Sequence, residues 1–344
     1  MIGLVPISWL YGFGVAVRNK AFDYGVLRVR RVDVPVISVG NLTAGGTGKT
    51  PLVKWIVNLL RESGKRVGVV SRGYGRTTKG LIVVSDGSKV LVDGERGGDE
   101  PVEIAQSNPG TIVVVGKNRV EAARTACGMG AEAIVMDDGF QHRYLHRDLN
   151  VMVWNAREHP QDARLLPAGR LREPISGARR ADIIVLTHSD RDASDEEDSF
   201  LTEWLAKETV ACRYRFEGMH PLHGPDKVID SFSGKRILAV SGIGYPEGFR
   251  SVLQEVGVDL VKHIQFRDHY LYRTEDVKRI RKEAVEAGVV AIVTTEKDAI
   301  RLRAKVSDQS VDPPFFFVRI KTEFLYGETE LRGRILSLWA NRNT

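Results

Sequence analysis

Apolar and polar residues succeed one another along the chain in blocks that predict alternating strands and helices. Strands that are apolar throughout are typical of parallel sheets, because helices cover both faces of such a sheet. The predicted strands are 36–39, 66–71, 81–84, 111–115, 133–136, 182–187, 209–215, 236–240, 258–264, 289–294 and 314–318. The predicted helices are 50–63, 118–129, 194–207, 246–256, 274–287 and 325–340, and another begins within 98–101. We therefore predict an α/β fold with a mostly parallel sheet and helices on both faces.

The first 17 residues contain no charged side chain, and several arginines and lysines follow them. Such a segment, carrying Trp9 and Tyr11, is typical of a helix that lies in the membrane interface. The alternatives are a helix buried against the protein and a short membrane-spanning helix, which Pro6 disfavours. A signal peptide is disfavoured because the apolar run has no basic segment before it and no cleavage site after it.

Composition narrows the possible partners. The chain has 344 residues, 42% hydrophobic and 27% charged, which is ordinary for a soluble protein of about two domains. The two cysteines, Cys127 and Cys212, show no metal-ligand spacing and indicate free thiols. A net charge of +6 indicates an acidic partner, either a phosphorylated substrate, an anionic membrane or a nucleic acid. No nucleic-acid-binding motif is present, so we do not expect nucleic acid.

A glycine-rich loop between strand 36–39 and helix 50–63 carries the main functional signal. It ends in Gly48, Lys49 and Thr50, in the order found in phosphate-binding P-loops. In such loops backbone N–H groups hold phosphate oxygens, the lysine neutralises the β- and γ-phosphates, and the hydroxyl binds Mg²⁺. The alternative is a turn followed by a solvated lysine. The predicted ATP-binding residues are Thr43, Ala44, Gly45, Gly46, Thr47, Gly48, Lys49 and Thr50.

Acidic residues follow two other predicted elements. Asp137 and Asp138 end the strand 133–136, as a Walker B carboxylate would, although a capped strand end is the alternative. Asp99 lies in the first turn of a predicted helix, where N-capping is the usual explanation.

Seven motifs occur in order along the chain. They are Gly-Gly-Thr-Gly-Lys-Thr-Pro (45–51), Ser-Arg-Gly-Tyr-Gly-Arg (71–76), Gly-Asp-Glu-Pro (98–101), Asp-Asp-Gly-Phe-Gln-His (137–142), Leu-Pro-Ala-Gly-Arg-Leu-Arg-Glu-Pro (166–174), Phe-Arg-Asp-His-Tyr (266–270) and Thr-Glu-Lys-Asp (295–298). Taken together, they resemble the tetraacyldisaccharide 4′-kinase family, the kinases of lipid A biosynthesis, over about residues 1–300. The resemblance implies ATP- and Mg²⁺-dependent phosphorylation of the 4′-hydroxyl of an acylated glucosamine disaccharide 1-phosphate. It also implies a peripheral enzyme on the cytoplasmic face of the inner membrane, anchored by its N-terminal helix.

The resemblance implies individual roles as well. Asp99 resembles the family's catalytic base and His269 its partner. A carboxylate held by an imidazole can accept the proton of a sugar hydroxyl as the phosphoryl group arrives. The two residues are far apart in sequence, so we expect the pair to form only when two lobes close. The absence of a glycine at Thr43, where the strict P-loop pattern begins, is a trait of the family.

Asp137 and Asp138 would serve Mg²⁺ together with Thr50. Glu173 is a further metal candidate, with a salt bridge to a neighbouring arginine as its alternative. Lys297 would contact the nucleotide base or cap the local structure. The arginines available for substrate phosphates are Arg72, Arg76, Arg119, Arg170 and Arg172, each with a surface salt bridge as its alternative.

The expected organisation has three parts. Residues 1–33 form the membrane-associated helix region, 34–160 the P-loop nucleotide-binding domain, and 161–344 a second, smaller α/β lobe that completes the cleft. The C-terminal helix is expected to pack back on the P-loop domain, and the protein is expected to be a monomer. The rival functions are a P-loop switch or assembly ATPase, which would not phosphorylate a sugar, and a kinase of a soluble metabolite.

Overall fold

The structure is a computed structural model that describes residues 4–158, 163–189, 207–224, 232–306 and 312–340. Within these ranges the strands form one 12-stranded sheet in the order β10-β9-β11-β12-β8-β7-β6-β1-β5-β2-β4-β3. In chain order the strands are β1 Val36–Gly40, β2 Val67–Ser71, β3 Ile82–Asp86, β4 Ile112–Val115, β5 Ala133–Asp137, β6 Leu149–Asn155, β7 Ile183–Thr187, β8 Glu208–Pro221, β9 Arg236–Ser241, β10 Asp259–Gln265, β11 Ala291–Thr295 and β12 Phe315–Tyr326.

The described helices cover both faces of this sheet. They are α1 Val5–Asp23, α2 Lys49–Glu62, α3 Gly94–Gly97, α4 Asp99–Ser107, α5 Arg119–Gly128, α6 Pro246–Glu255, α7 Thr274–Glu286, α8 Glu296–Arg303 and α9 Glu328–Ala340, with a 3₁₀ helix at Ile175–Arg180. Ile37 of β1 joins the apolar cluster beneath α2, whereas Val36 joins the cluster beneath α5. Alternate side chains of a strand point to opposite faces, so helices bury both. The predicted fold class is confirmed.

Among the described residues, all strand pairs are parallel except β3 with β4 and β8 with β12. The P-loop strand β1 lies between β5 and β6, and Val39 is in register with Asp137. The loop that follows β1 therefore begins beside the acidic end of β5. Ligands of parallel sheets bind at such carboxyl edges.

The parts 34–160 and 161–344 share this sheet, because β6 pairs directly with β7. Leu331 and Ile335 of α9 belong to the same apolar cluster as Val53 and Val57 of α2.

Several elements differ from the sequence prediction. Strands β8 and β12 are longer than predicted because they pair antiparallel with each other along almost their whole length. β6 was not predicted, since Asn150 interrupts its apolar run. That asparagine is buried and donates to the carbonyl of Arg180. The short helices α3 and α8 were also missed. The helix predicted over 194–207 lies outside the described residues except for its last residue.

Helix α1 has one face packed on the protein and another exposed. The Ser8 hydroxyl donates to the carbonyl of Leu165, and the Tyr11 hydroxyl to that of Arg172. Trp9, Leu10 and Phe13 are each more than two-thirds exposed. No helix within the described residues has the length and apolar character needed to span a bilayer.

Candidate active site

The glycine-rich loop is held in shape by its own side chains. Asn41 directly follows β1 and donates to the carbonyl of Thr43 at 2.8 Å and to the hydroxyl of Thr47 at 2.9 Å. Gly48 has φ of 76°, in the left-handed region that favours glycine, and it is the residue from which α2 begins. The loop and the first turn of α2, including Thr50, line one cleft of about 1090 Å³.

Lys49 is the first residue of α2 and points along the loop towards β5. Its Nζ donates to Asn41 Oδ1 at 3.2 Å and lies 3.6 Å from Asp138 Oδ1. Arg172 contacts both carboxylate oxygens of Asp138 at 2.8 Å. Burial disfavours the charged form of Asp138, yet Lys49 and Arg172 hold its pKa below the ordinary value. The structure thus brings Lys49 together with Asp138, the residue that directly follows β5.

Asp137 differs sharply from its neighbour. Its side chain is fully buried, Ser71 donates to Oδ2 at 3.0 Å, and Oδ1 has no hydrogen-bond partner in the described structure. Burial, followed by the nearby carboxylates of Glu100 and Asp138, raises its pKa to about 7. A buried carboxylate oxygen without a partner is costly unless a cation completes its surroundings.

These residues fit a Mg²⁺ ion. Asp137 offers an unpartnered oxygen directly beside Asp138, and Asp138 and Thr50 both line the cleft. Across the described ranges, no cluster of three or more histidine, cysteine or acidic side chains forms a complete cation cage. Mg²⁺ commonly takes one or two carboxylates and completes its shell with water and substrate phosphates, so a partial set suits it.

Asp99 and His269 lie together, and His269 lines the cleft. The distance from His269 Nδ1 to Asp99 Oδ2 is 3.4 Å. Arg301 of α8 supports the pair: its Nε donates to the same Asp99 oxygen at 2.7 Å, and its Nη1 donates to the carbonyl of Tyr270. Arg301 thereby ties α4 to the loop that carries His269.

Asp99 does not act as the N-cap of helix α4. Gly98 is the N-cap residue of α4, and no side chain, including that of Asp99, makes a capping hydrogen bond there.

His269 has φ of 57°, and Asp138 has φ of 48°. Non-glycine residues rarely adopt such values, and they often do so at functional sites. His269 and Asp138 were both predicted as site residues from the sequence.

Lys297 lies behind the pair. Its Nζ is 3.0 Å from Glu100 Oε1, 3.3 Å from His269 Nε2 and 3.5 Å from Asp268 Oδ1. Burial opposes its charge, but Glu100 and Asp268 raise its pKa. This cation therefore stays protonated and holds the acidic side chains on both sides of the cleft.

Glu173 lies away from the metal candidates. It is fully buried and accepts from Arg180 at 2.6 Å, from Gln141 at 2.9 Å and from Asn19 of α1 at 3.1 Å. Its oxygens are already occupied, and it does not line the cleft. We therefore leave Glu173 out of the metal set and assign it to the docking of α1.

The predicted arginines separate into several environments. Arg172 pairs with Asp138, Arg170 with Glu158, and Arg76 donates to the carbonyl of Gly80. Arg72 and Arg119 line the cleft.

Sequence reasoning missed Arg18 of α1 and His142, which both line the cleft. The Nε atoms of Arg18 and Arg119 and the Nε2 atom of His142 are buried without a partner in the described structure. Burial, and then Arg119, lowers the pKa of His142 to about 4, so its ring is neutral at pH 7. The His142 position in the motif Asp-Asp-Gly-Phe-Gln-His was the available signal. For Arg18, the only signal in the sequence was its place in a run of basic residues.

Comparison with known proteins places this site in context. A model of the family Tetraacyldisaccharide-1-P 4′-kinase matches residues 1–340. The tetraacyldisaccharide 4′-kinase of Chlorobium limicola is 40% identical, with 96% of each chain covered. That of Syntrophus aciditrophicus is 41% identical over 87% of this chain and 83% of the relative.

A solved structure matches at the level of the whole fold. LpxK from Aquifex aeolicus, crystallised in complex with ATP, superposes with a TM-score of 0.80 at 34% identity, and 98% of both chains is covered. These matches extend over both the P-loop part of the chain and its C-terminal part. They confirm the resemblance inferred from the sequence motifs.

Proposed function

Because the chain belongs to the tetraacyldisaccharide-1-P 4′-kinase family, we propose that it transfers the γ-phosphoryl group of ATP to the 4′-hydroxyl of a tetraacyldisaccharide 1-phosphate. The product would be lipid IVA, an intermediate of lipid A biosynthesis. The observation that carries this proposal is the Asp99–His269 pair, 3.4 Å apart, whose His269 lines the same cleft as the P-loop and Lys49. A proton acceptor opposite a phosphate-binding loop is the arrangement that phosphoryl transfer to a hydroxyl requires.

In this proposal the loop 43–50 binds the triphosphate through backbone N–H groups, and Lys49 neutralises charge on the β- and γ-phosphates. Mg²⁺, when bound, neutralises phosphate charge as the γ-phosphoryl group is transferred. Thr50, Asp137 and Asp138 are the side chains that would hold it directly or through water.

Asp99 acts as the general base. Arg301 and His269 both contact its Oδ2 atom and so hold the carboxylate that receives the proton of the 4′-hydroxyl. His269 orients the carboxylate, and Lys297 lies 3.3 Å from the other imidazole nitrogen. A general base of this kind contributes about 10²- to 10⁴-fold to a rate.

The acceptor lipid enters from the side of α1. The unpartnered donors of Arg18 and Arg119 support an anionic group at that end of the cleft. The exposed Trp9, Leu10 and Phe13 support contact with a membrane interface, with the protein peripheral on the cytoplasmic face of the inner membrane. We further propose that the protein acts as a monomer, which sedimentation in detergent would test.

The experiment is phosphoryl transfer from γ-labelled ATP to three acceptors, followed by thin-layer separation. We expect label in the tetraacylated disaccharide 1-phosphate, little in its deacylated form, and none in water-soluble sugars. Release of inorganic phosphate without labelled lipid would favour a switch ATPase. Efficient labelling of a soluble sugar would favour a metabolite kinase.

A further inference from the structure

Two consecutive carbonyl groups of the phosphate loop are held from outside the loop. The hydroxyl of Thr187, the last residue of β7, donates to the carbonyl of Thr47 at 2.8 Å. The hydroxyl of Tyr214, in β8, donates to the carbonyl of Gly48 at 2.7 Å. Neither residue belongs to the loop or to any motif recognised in the sequence.

These two bonds fix the orientation of two peptide groups. In a trans peptide the carbonyl oxygen and the following N–H point in opposite directions. A Thr47 carbonyl directed at β7 and a Gly48 carbonyl directed at β8 therefore turn the N–H groups of Gly48 and Lys49 the other way. Those N–H groups lie at the start of α2, where a phosphate is bound by backbone donors.

Close packing restricts this arrangement, although the side chains of Cys212 and Thr187 also lie within hydrogen-bonding reach of the Tyr214 hydroxyl. A Cβ atom on Gly48 would come within 3.0 Å of the Tyr214 hydroxyl and ring, so glycine is required for the close approach. Burial raises the pKa of Tyr214 well above its ordinary value, so its hydroxyl remains a donor. Thr187 is fully buried. Its hydroxyl is also 3.2 Å from the carbonyl of Trp154, but it has one hydrogen, and the Thr47 contact is the shorter.

We propose that Thr187 and Tyr214 are positioning residues that orient the backbone N–H groups of Gly48 and Lys49 towards the ATP phosphates. This proposal rests on the nucleotide role of the loop in the proposed function. It gives the strand pair β7–β8 a part in ATP binding that the loop sequence does not reveal. Loss of either hydroxyl would leave a peptide group free to rotate and would weaken the phosphate contacts.

The test compares Thr187→Val, Thr187→Ser and Tyr214→Phe. A single hydrogen bond of this kind contributes about 0.5–1.5 kcal/mol, so we expect Kd for ATP to rise about 3- to 10-fold in Thr187→Val and in Tyr214→Phe. Thr187→Ser keeps the hydroxyl and should bind ATP as the wild type does. Inorganic tripolyphosphate, used as a competitor of ATP, should lose affinity by the same factor, because the effect is on phosphate binding.

Thr294→Val is the matched control. Thr294 is fully buried and its hydroxyl donates to the carbonyl of Val240 at 2.8 Å, a bond of the same kind that does not involve the loop. It should lower Tm about as much as Thr187→Val without changing Kd for ATP. Equal losses of Tm with unchanged Kd in all variants would overturn the proposal, as would a loss for ATP with none for tripolyphosphate. Failure of lipid labelling in the wild type would instead refute the proposed function, because ATP affinity is measured without the acceptor.

Discussion

Replacing the carboxylate of Asp99 by an amide tests whether this residue acts as the general base or only stabilises the fold. We expect Asp99→Asn to lower kcat by about 10²- to 10⁴-fold, the usual contribution of a general base, with little change in ATP affinity. His269→Gln should fall in the same range. The double variant should be far less impaired than the product of the two, because residues that act as one unit are strongly non-additive.

Asp99→Asn and His269→Gln should differ in their free energy of unfolding. Asp99 accepts from Arg301, whose side chain is 3% exposed, so Asp99→Asn leaves a buried cation with one carboxylate fewer. Breaking a buried ion pair costs about 3–5 kcal/mol. The His269 side chain is 21% exposed and lies 3.4 Å from Asp99, longer than a good hydrogen bond, so His269→Gln should cost less than about 1 kcal/mol.

Asp298→Asn is the matched control for Asp99→Asn. Asp298 is fully buried and accepts from Nη1 of the same Arg301 at 3.2 Å, but it has no contact with His269 in the described structure. It should destabilise the protein comparably and keep kcat within about 10-fold of the wild type. The assay pairs urea unfolding with single-turnover transfer at saturating ATP. A destabilised but fully active Asp99→Asn protein, or losses that simply multiply in the double variant, would refute the reasoning.

Further predictions concern the loop, the metal candidates and α1. Lys49→Ala should lower kcat at least about 10²-fold with an unchanged fold by circular dichroism, since it removes phosphate-neutralising charge and no core volume. Glu173→Gln should lower unfolding stability by about 3 kcal/mol, because it breaks the bond to Arg180, yet leave the Mg²⁺ concentration for half-maximal activity unchanged. Deleting residues 2–17 should weaken sedimentation with anionic vesicles and spare ATP binding. The raised pKa of Asp137, about 7 against 3.8, means that its native state binds a proton more tightly than the unfolded chain, so stability is lost as pH rises from about 4 to 7. Without Mg²⁺, Asp137→Asn should therefore gain about 2–3 kcal/mol over the wild type between pH 5 and pH 8 in urea titrations, and a constant difference would contradict this.

Much of the fold was predictable because its strands are short, continuously apolar and bounded by glycine. The lengths of β8 and β12 were not, since residues 216–221 and 319–326 mix polar and apolar side chains without a regular period and become strand by pairing with the partner strand. That pairing depends on two segments far apart in the sequence, which no local pattern reveals.

The candidate site divides in the same way. Lys49 and Asp137 sit in local motifs whose chemistry is recognisable in the sequence, whereas Asp99 and His269 were predicted through the family resemblance. Tyr214, in the middle of a strand, carries no such signal, and it becomes relevant only because the sheet places it against Gly48. Residues such as Tyr214, which act through contacts that the fold creates, cannot be identified before the fold is known.

The central claim is most directly tested by locating the new phosphate. The tetraacyldisaccharide 1-phosphate is incubated with the protein, ATP and Mg²⁺, and the lipid product is studied by phosphorus–proton correlation NMR. The account predicts a second phosphate monoester coupled to the proton at the 4′ position. A phosphate at any other hydroxyl, or an unchanged lipid alongside free inorganic phosphate, would contradict it.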